Sequence, residues 1–309
     1  MKNCLKHKIP AKQEEWLADR LKGIGGSDAG AILGLNPYKS QYALWCEKTG
    51  RMSKQVDNEA MRLGRDLEDY VALRFMEATG KKVKKSNYSF QSKTHPFMLA
   101  NVDRLIIGEN AGLECKTTNM LTKTKYDKGD IPAQYYAQCV HYMAVTGAER
   151  WYIAVLVLGV GFHWFVVERD ENEIAALIEA ETEYWQHVVE DTEPPIDGYD
   201  STTDAIAYMH PSDNGDAFEL FGREELINKY MSLNKNRKEL EKEIKECENI
   251  LKNDMGNFEK AYAGNYTITW KTITSNRADS KALKENYPEV YEKVLKQSTS
   301  RKFTIKENS

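Results

Sequence analysis

The sequence predicts an α+β fold, a mixed central β-sheet flanked by helices, with a helical and coiled-coil-like extension at the C-terminus. Three observations predict it. Between residues 59 and 191, helical and strand-like runs follow in the order helix, three strands, helix, two strands, helix. Residues 193–216 (EPPIDGYDSTTDAIAYMHPSDNGD) are turn-rich and acidic, as a domain boundary would be. Beyond them Leu226, Leu233, Leu240 and Cys247 recur every seven residues, with Tyr230, Arg237, Ile244 and Leu251 as a companion series.

Each element has its own signal. Trp16, Leu17 and Leu21 give residues 11–22 an apolar helical face. Residues 40–49 read as a helix capped by Ser40 and ended by Gly50, and residues 59–79 as a longer one closed by Gly80. Strand-like runs follow at 83–91, 97–107 and 111–117. A helix from Ala133 to Thr146 stops at Gly147. The runs WYIAVLVLG and FHWFVVE, joined by Val160-Gly161, predict a β-hairpin. A helix over 171–191 ends at TEPP. This organisation divides the chain into a core, 1–200, and an extension, 201–309. The extension holds a heptad helix over about 222–253, a strand over about 265–273 and a terminal helix over 279–297. The heptads suit either a coiled-coil arm or a helix lying on the core.

Composition narrows the class. The 309 residues are 41% hydrophobic and 29% charged, enough apolar material for a real core and enough charge for a soluble surface. No apolar run approaches membrane-spanning length, and MKNCLKHKIPAKQEEW lacks the apolar region of a signal peptide. No membrane association and a cytoplasmic location are therefore expected. Five scattered cysteines without a C-x-x-C pair argue against a disulfide framework, a zinc ribbon or an iron–sulfur cluster. The net charge of −4 does not by itself suggest nucleic acid, yet a local basic channel can coexist with an acidic exterior.

The segment LANVDRLIIGENAGLECKTTN carries the chemistry. Asp103 interrupts an apolar strand; eleven positions on, Glu114 and Lys116 stand two apart in a second strand and leave the same face. Adjacent hairpin strands can bring Asp103 beside that pair. Two carboxylates and an ammonium are costly to desolvate together unless something compensates. Mg²⁺ would, since it takes a few hard oxygen ligands and completes its shell with water and phosphate. In RLGRDLEDYVALRF, Glu68 shares a helical stripe with Val71, Ala72 and Phe75 and should face inward, while Asp66 and Asp69 face solvent. Taken alone such a glutamate reads as the partner of an arginine; beside Asp103, Glu114 and Lys116 it also reads as a ligand. Gln138 and Tyr142, four apart, share one face of the 133–146 helix.

Asp103 followed by Glu114-Cys115-Lys116 resembles the D…(D/E)-x-K signature of the PD-(D/E)XK nucleases. Arg20 before GIGGSDAGAILGLNPYKS, then Gly64 and Glu68, Asp103, GLECKT and AQCVHYMAVTG occur in order. Together they resemble the λ-exonuclease-like, YqaJ-type phage recombinases over about residues 14–190. The resemblance implies a PD-(D/E)XK core and a Mg²⁺-dependent 5′→3′ exonuclease acting on one strand of linear double-stranded DNA. Mn²⁺ would be a substitute, and two ions would be present with DNA bound. It implies Glu68, Asp103, Glu114 and the Cys115 backbone carbonyl as metal ligands, Lys116 as the residue positioning the attacking water, and Gln138 as its support. It further implies a toroidal homotrimer and a single-strand-annealing protein as partner. Where the family carries a small residue after the motif aspartate, this chain has Arg104, which could point away from the metals or reach DNA phosphate. A PD-(D/E)XK endonuclease or structure-specific nuclease shares the same core. A DNA-end-binding scaffold is the non-enzymatic alternative, which intact Glu68, Asp103, Glu114 and Lys116 disfavour.

The stretch GIGGSDAGAILG, residues 23–34, is neither a dinucleotide fingerprint nor a P-loop: Asp28 stands where the third fingerprint glycine belongs, and no Lys-Ser/Thr follows Gly30. Ser27 could cap a short helix through Leu33, and Arg20 could clamp an anion bidentately. The resemblance assigns Arg20 and Ser27 to the terminal 5′-phosphate, with Tyr142 a further DNA-binding residue. The plainer alternative is a tight turn that packs the first helix on the core.

Overall fold

The run 97–107, expected as one strand, is two strands in two different sheets. The computed structural model describes residues 4–53, 58–122, 126 and 129–307. Its first elements are β1 (Cys4–Lys8), α1 (Gln13–Leu21), β2 (Ile24–Gly25), α2 (Gly26–Ile32), α3 (Gln41–Lys48) and α4 (Glu59–Thr79). Then come β3 (Val83–Lys85), β4 (Tyr88–Ser92), β5 (Met98–Asn101), β6 (Arg104–Ile106) and β7 (Ala111–Thr118). Helix α5 (Ala133–Thr146), β8 (Arg150–Val157), β9 (Gly161–Glu168), α6 (Glu171–Val189) and α7 (Asp200–Met209) complete the first unit.

A five-stranded sheet runs β3-β6-β7-β8-β9, with β7 and β8 parallel and the other neighbours antiparallel. A separate four-stranded sheet runs β1-β4-β5-β2. One mixed central sheet was expected; β1, which lacks a strong apolar alternation, and the two-residue β2 were not foreseen. The chain leaves one sheet after Asn101 and enters the other at Arg104, so Asp103 stands at the crossing. Helix α5 packs against both sheets, with Tyr142 and Met143 in one core alongside Phe90, Met98, Trp151 and Ile153. On the opposite face of the five-stranded sheet, Val71, Ala72 and Phe75 of α4 pack on Leu113, Tyr152 and Ala154. Each such large apolar side chain, fully buried, contributes about 1.5–3 kcal/mol.

The caps are local chemistry. Ser40 Oγ accepts from the Ala43 amide at 3.0 Å, and Gly80 and Gly147 end α4 and α5 in the left-handed conformation. The glycines of residues 23–30 answer a need for space. A Cβ at Gly23 would lie 2.3 Å from Phe97 O, at Gly26 2.5 Å from the Tyr142 ring, and at Gly30 2.8 Å from Gln134 Cβ. Gly26 and Gly30 let α2 lie directly on α5, and Gly23 lets the chain pass close to Phe97.

The chain divides into two units, Met1–His210 and Pro211–Ser309. Helix α7 lies inside the segment expected as a boundary; Thr202 and Ala205 are buried, and Thr202 Oγ1 donates to Ser40 Oγ at 2.7 Å. The second unit holds α8 (Glu224–Met255), the hairpin β10 (Lys260–Ala263) and β11 (Tyr266–Thr269), and α9 (Ser280–Asn286) and α10 (Pro288–Val294). The single terminal helix expected over 279–297 is two, because Pro288 can begin a helix but cannot donate within one. Along α8, Leu226, Leu233, Leu240 and Ile244 are exposed. No helix among the described residues is long and apolar enough to cross a membrane.

Candidate active site

Strand β7 works on two faces. Leu113 points into the α4 core, while Glu114 and Lys116 leave toward α5, where Gln138 meets both. Antiparallel pairing puts Arg104 opposite Leu113, so Asp103 comes level with Glu114. Asp103 Oδ2 accepts from the Cys115 amide at 2.8 Å.

Helix α5 closes the group. Gln138 donates from Nε2 to Glu114 Oε1 at 2.7 Å and accepts at Oε1 from Lys116 Nζ at 3.0 Å. Lys116 Nζ also lies 2.6 Å from Glu114 Oε1. Tyr142, one turn on, accepts from Gln138 at 2.8 Å and donates to Asn101 O at 3.0 Å. Expected among the DNA-binding residues, Tyr142 is instead buried, and its hydroxyl bonds hold Gln138 in place. Its neighbour His141, fully buried, ties α5 to Leu99 O at 2.9 Å and to Glu181 at 2.7 Å.

Electrostatics follow from this crowding. Burial pushes Asp103 well above the usual carboxylate range, and Glu114 and Glu68 add to it. For Lys116 burial disfavours the ammonium, but Glu114, Tyr135 and Asp103 outweigh it and hold the pKa above its ordinary value. Burial, with Asp103 and Glu114 nearby, also pushes the Cys115 thiol up and leaves it an unreactive, protonated group. Glu114 Oε2 and Asn101 Oδ1 are buried without a hydrogen-bond partner. A buried orphan oxygen costs about 1–3 kcal/mol, more when charged, and a cation beside Glu114 Oε2 would satisfy it. Among the described residues no three His, Cys, Asp or Glu side chains form a ready-made metal cluster. The carboxylates of Asp103 and Glu114 are oxygen donors of the kind a hard divalent cation takes, and the cleft leaves space beside them for water and phosphate.

Glu68 faces the same cleft, but Arg104 occupies its carboxylate and Lys85 Nζ lies 3.7 Å away. Arg104, buried, also pairs with Asp69 and donates to Asp103 O at 2.7 Å. Its guanidinium thus turns to α4, where it pairs with Glu68 at the rim of the cleft. Asp69, expected to be simply solvated, is exposed yet serves as the second partner.

Arg20 Nη2 donates to Ser27 Oγ at 3.0 Å, and its guanidinium carbon lies 4.9 Å from the Trp16 ring centroid. Ser27 is not the helix cap. Gly25 holds that position, Ser27 sits in the first turn, and Asp28 Oδ2 accepts from the Gly25 amide at 2.9 Å. One cleft of about 450 Å³ is lined by Arg20, Ser27, Glu68, Asp103, Glu114, Lys116, Gln138 and Tyr142. Asn101 lines it too and was not foreseen; an asparagine two before the aspartate has no local pattern that marks it.

The chain matches the model of the YqaJ-like viral recombinase domain over residues 15–149. It is 40% identical over 303 residues to the uncharacterized protein YqaJ of Bacillus subtilis, covering 96% of this chain and 95% of that one. The chain belongs to the YqaJ family. A short stretch of 53 residues is 40% identical to protein D345L of African swine fever virus, 17% of this chain and 15% of that protein. Among solved structures, the alkaline exonuclease LHK-Exo of Laribacter hongkongensis matches with a TM-score of 0.52 and 21% identity, over 58% of this chain and 94% of that one. The core of this chain therefore shares its fold with that structure, in line with the α+β architecture, sheets flanked by helices, expected from the sequence.

Proposed function

We propose that this YqaJ-family chain is a metal-dependent exonuclease that hydrolyses one strand of linear double-stranded DNA from its 5′ end, leaving a 3′ single-stranded overhang. The observation that carries the reading is the convergence of Asp103, Glu114, Lys116 and Gln138 with the Arg20–Ser27 pair on one cleft. Asp103, Glu114 and the Cys115 carbonyl would hold Mg²⁺, or Mn²⁺ in its place, with Glu68 the further carboxylate and two ions with DNA bound. A metal there supplies an activated water and offsets charge on the scissile phosphate.

The protein's own groups do the rest. Lys116 stays protonated beside Glu114, so its ammonium donates, orienting the attacking water and steadying negative charge as it develops. Gln138 fixes Lys116 and Glu114 at once, with one amide atom for each. Arg20 and Ser27 receive the terminal 5′-phosphate, the guanidinium offering paired donors. Contacts to the backbone carry no base information, so no sequence preference is expected. The overhang would pass to a single-strand-annealing protein, and a homotrimer around the duplex is the assembly this reading carries.

End-labelled duplexes test it. With Mg²⁺, a 5′ label should be released early as a mononucleotide while a 3′ label on the same strand persists. Early loss of the 3′ label overturns the polarity, and shortened oligonucleotides that each keep one label, with no labelled mononucleotide released, indicate an endonuclease.

A further inference from the structure

We infer that Lys48, together with Asp28, is the positioning residue that aims the Arg20–Ser27 pair at the end of a DNA strand. The inference rests on the phosphate reading of that pair and extends it to a residue that touches no DNA. Lys48 closes α3, where its place in the sequence marks it only as a cation in the last turn of a helix. In the fold its side chain is 4% exposed. Its Nζ donates to Arg20 O at 2.8 Å and to Gly23 O at 2.6 Å, and lies 2.7 Å from Asp28 Oδ2. An ammonium has three donors. All three are engaged inside the protein, so none is left for substrate.

Asp28 completes the knot from the other side. Its side chain is 8% exposed, and the oxygen that meets Lys48 also accepts from the Gly25 amide at 2.9 Å. Four main-chain or side-chain points between residues 20 and 28 are thereby tied to one nitrogen or to its partner. Arg20 and Ser27 are the residues at either end of that span whose side chains reach the cleft. The short pairing of Ile24 and Gly25 with Met98 and Leu99 and the packing of Gly26 on Tyr142 hold the middle of that span as well. Burial works against a charged Asp28, but Lys48 and Arg20 overcome it and hold the carboxyl well below its ordinary range. The pair is therefore charged and desolvated, an arrangement that contributes little net stability against a well-packed apolar pair and whose best-attested use is fixing register.

The test measures binding of the full-length protein, in EDTA, to short linear duplexes that differ only in carrying a 5′-phosphate or a 5′-hydroxyl. Wild type should prefer the phosphorylated end by about tenfold. Lys48→Met should reduce that preference to about twofold or less, with affinity for the hydroxyl duplex changed by no more than about twofold. Because Lys48→Met leaves a buried carboxylate unpaired, the double variant Lys48→Met/Asp28→Asn is measured beside it, with thermal unfolding recorded for both. Retention of the wild-type preference in either folded variant overturns the inference and leaves the phosphate pocket standing. A wild type indifferent to the phosphate overturns the pocket and the inference together. Loss of cooperative unfolding in both variants assigns Lys48 a purely structural role and likewise overturns it.

Discussion

Lys116 is bonded to the two groups that define the site, Glu114 and Gln138, and its removal should act on chemistry more than on folding. Lys116→Ala is expected to lower nucleotide release from 5′-phosphorylated linear DNA by about 10²–10³-fold, the scale of one transition-state donor. Its melting temperature should stay within a few degrees of wild type, since Gln138 still serves Glu114. Arg20→Ala is expected to slow digestion of 5′-phosphorylated ends by about tenfold, the loss of one charge-assisted contact. Paired rate measurements on 5′-phosphate and 5′-hydroxyl ends check this; equal slowing on both contradicts a phosphate clamp. Asp103, Glu114 and Lys116 were legible in the sequence because strand periodicity and hairpin register are local rules. The engagement of Glu68 by Arg104 was not, since a salt bridge between α4 and β6 depends on tertiary placement that no spacing encodes.

At the scale of elements, the glycine spacing of residues 23–34 points to an approach to phosphate, and the structure adds a packing reason. Gly26 admits the Tyr142 ring, so Gly26→Ala should destabilise the protein by about 1–3 kcal/mol through overpacking. It should also weaken catalysis by displacing the residue behind Gln138. Urea unfolding and single-turnover rates on one preparation measure the two effects. Asp28 provides an acid test. Its carboxyl is held below the ordinary value of about 3.9, so its contribution is complete above about pH 5 and is lost as pH falls toward the folded pKa. Asp28→Asn should cost about 3–5 kcal/mol at pH 7, the loss of one buried partner. The gap to wild type should narrow in urea titrations taken from pH 5 down to pH 3; a constant gap contradicts a charged Asp28. Helices with caps and apolar stripes were legible. The split of 97–107 between two sheets was not, because apolar residues flank Asp103 and Arg104 on both sides and no glycine or proline marks the crossing.

For the whole molecule, a net charge of −4 is compatible with a DNA substrate because Arg20, Arg65, Lys85 and Lys116 gather on the cleft. Helix α7 was hidden in a segment rich in turn formers, and its burial depends on contacts with α3. Light scattering on the full-length chain should give about three times 35.4 kDa if a trimer encircles DNA; a monomer or dimer contradicts the toroid. The central claim, a metal-dependent exonuclease built on Asp103, Glu114 and Lys116, is tested most directly by comparing linear with covalently closed circular duplex in Mg²⁺. Wild type should degrade the linear DNA and leave the circle intact, and Lys116→Ala should leave both intact. Cutting of the closed circle, or equal nucleotide release by wild type and Lys116→Ala, would contradict it.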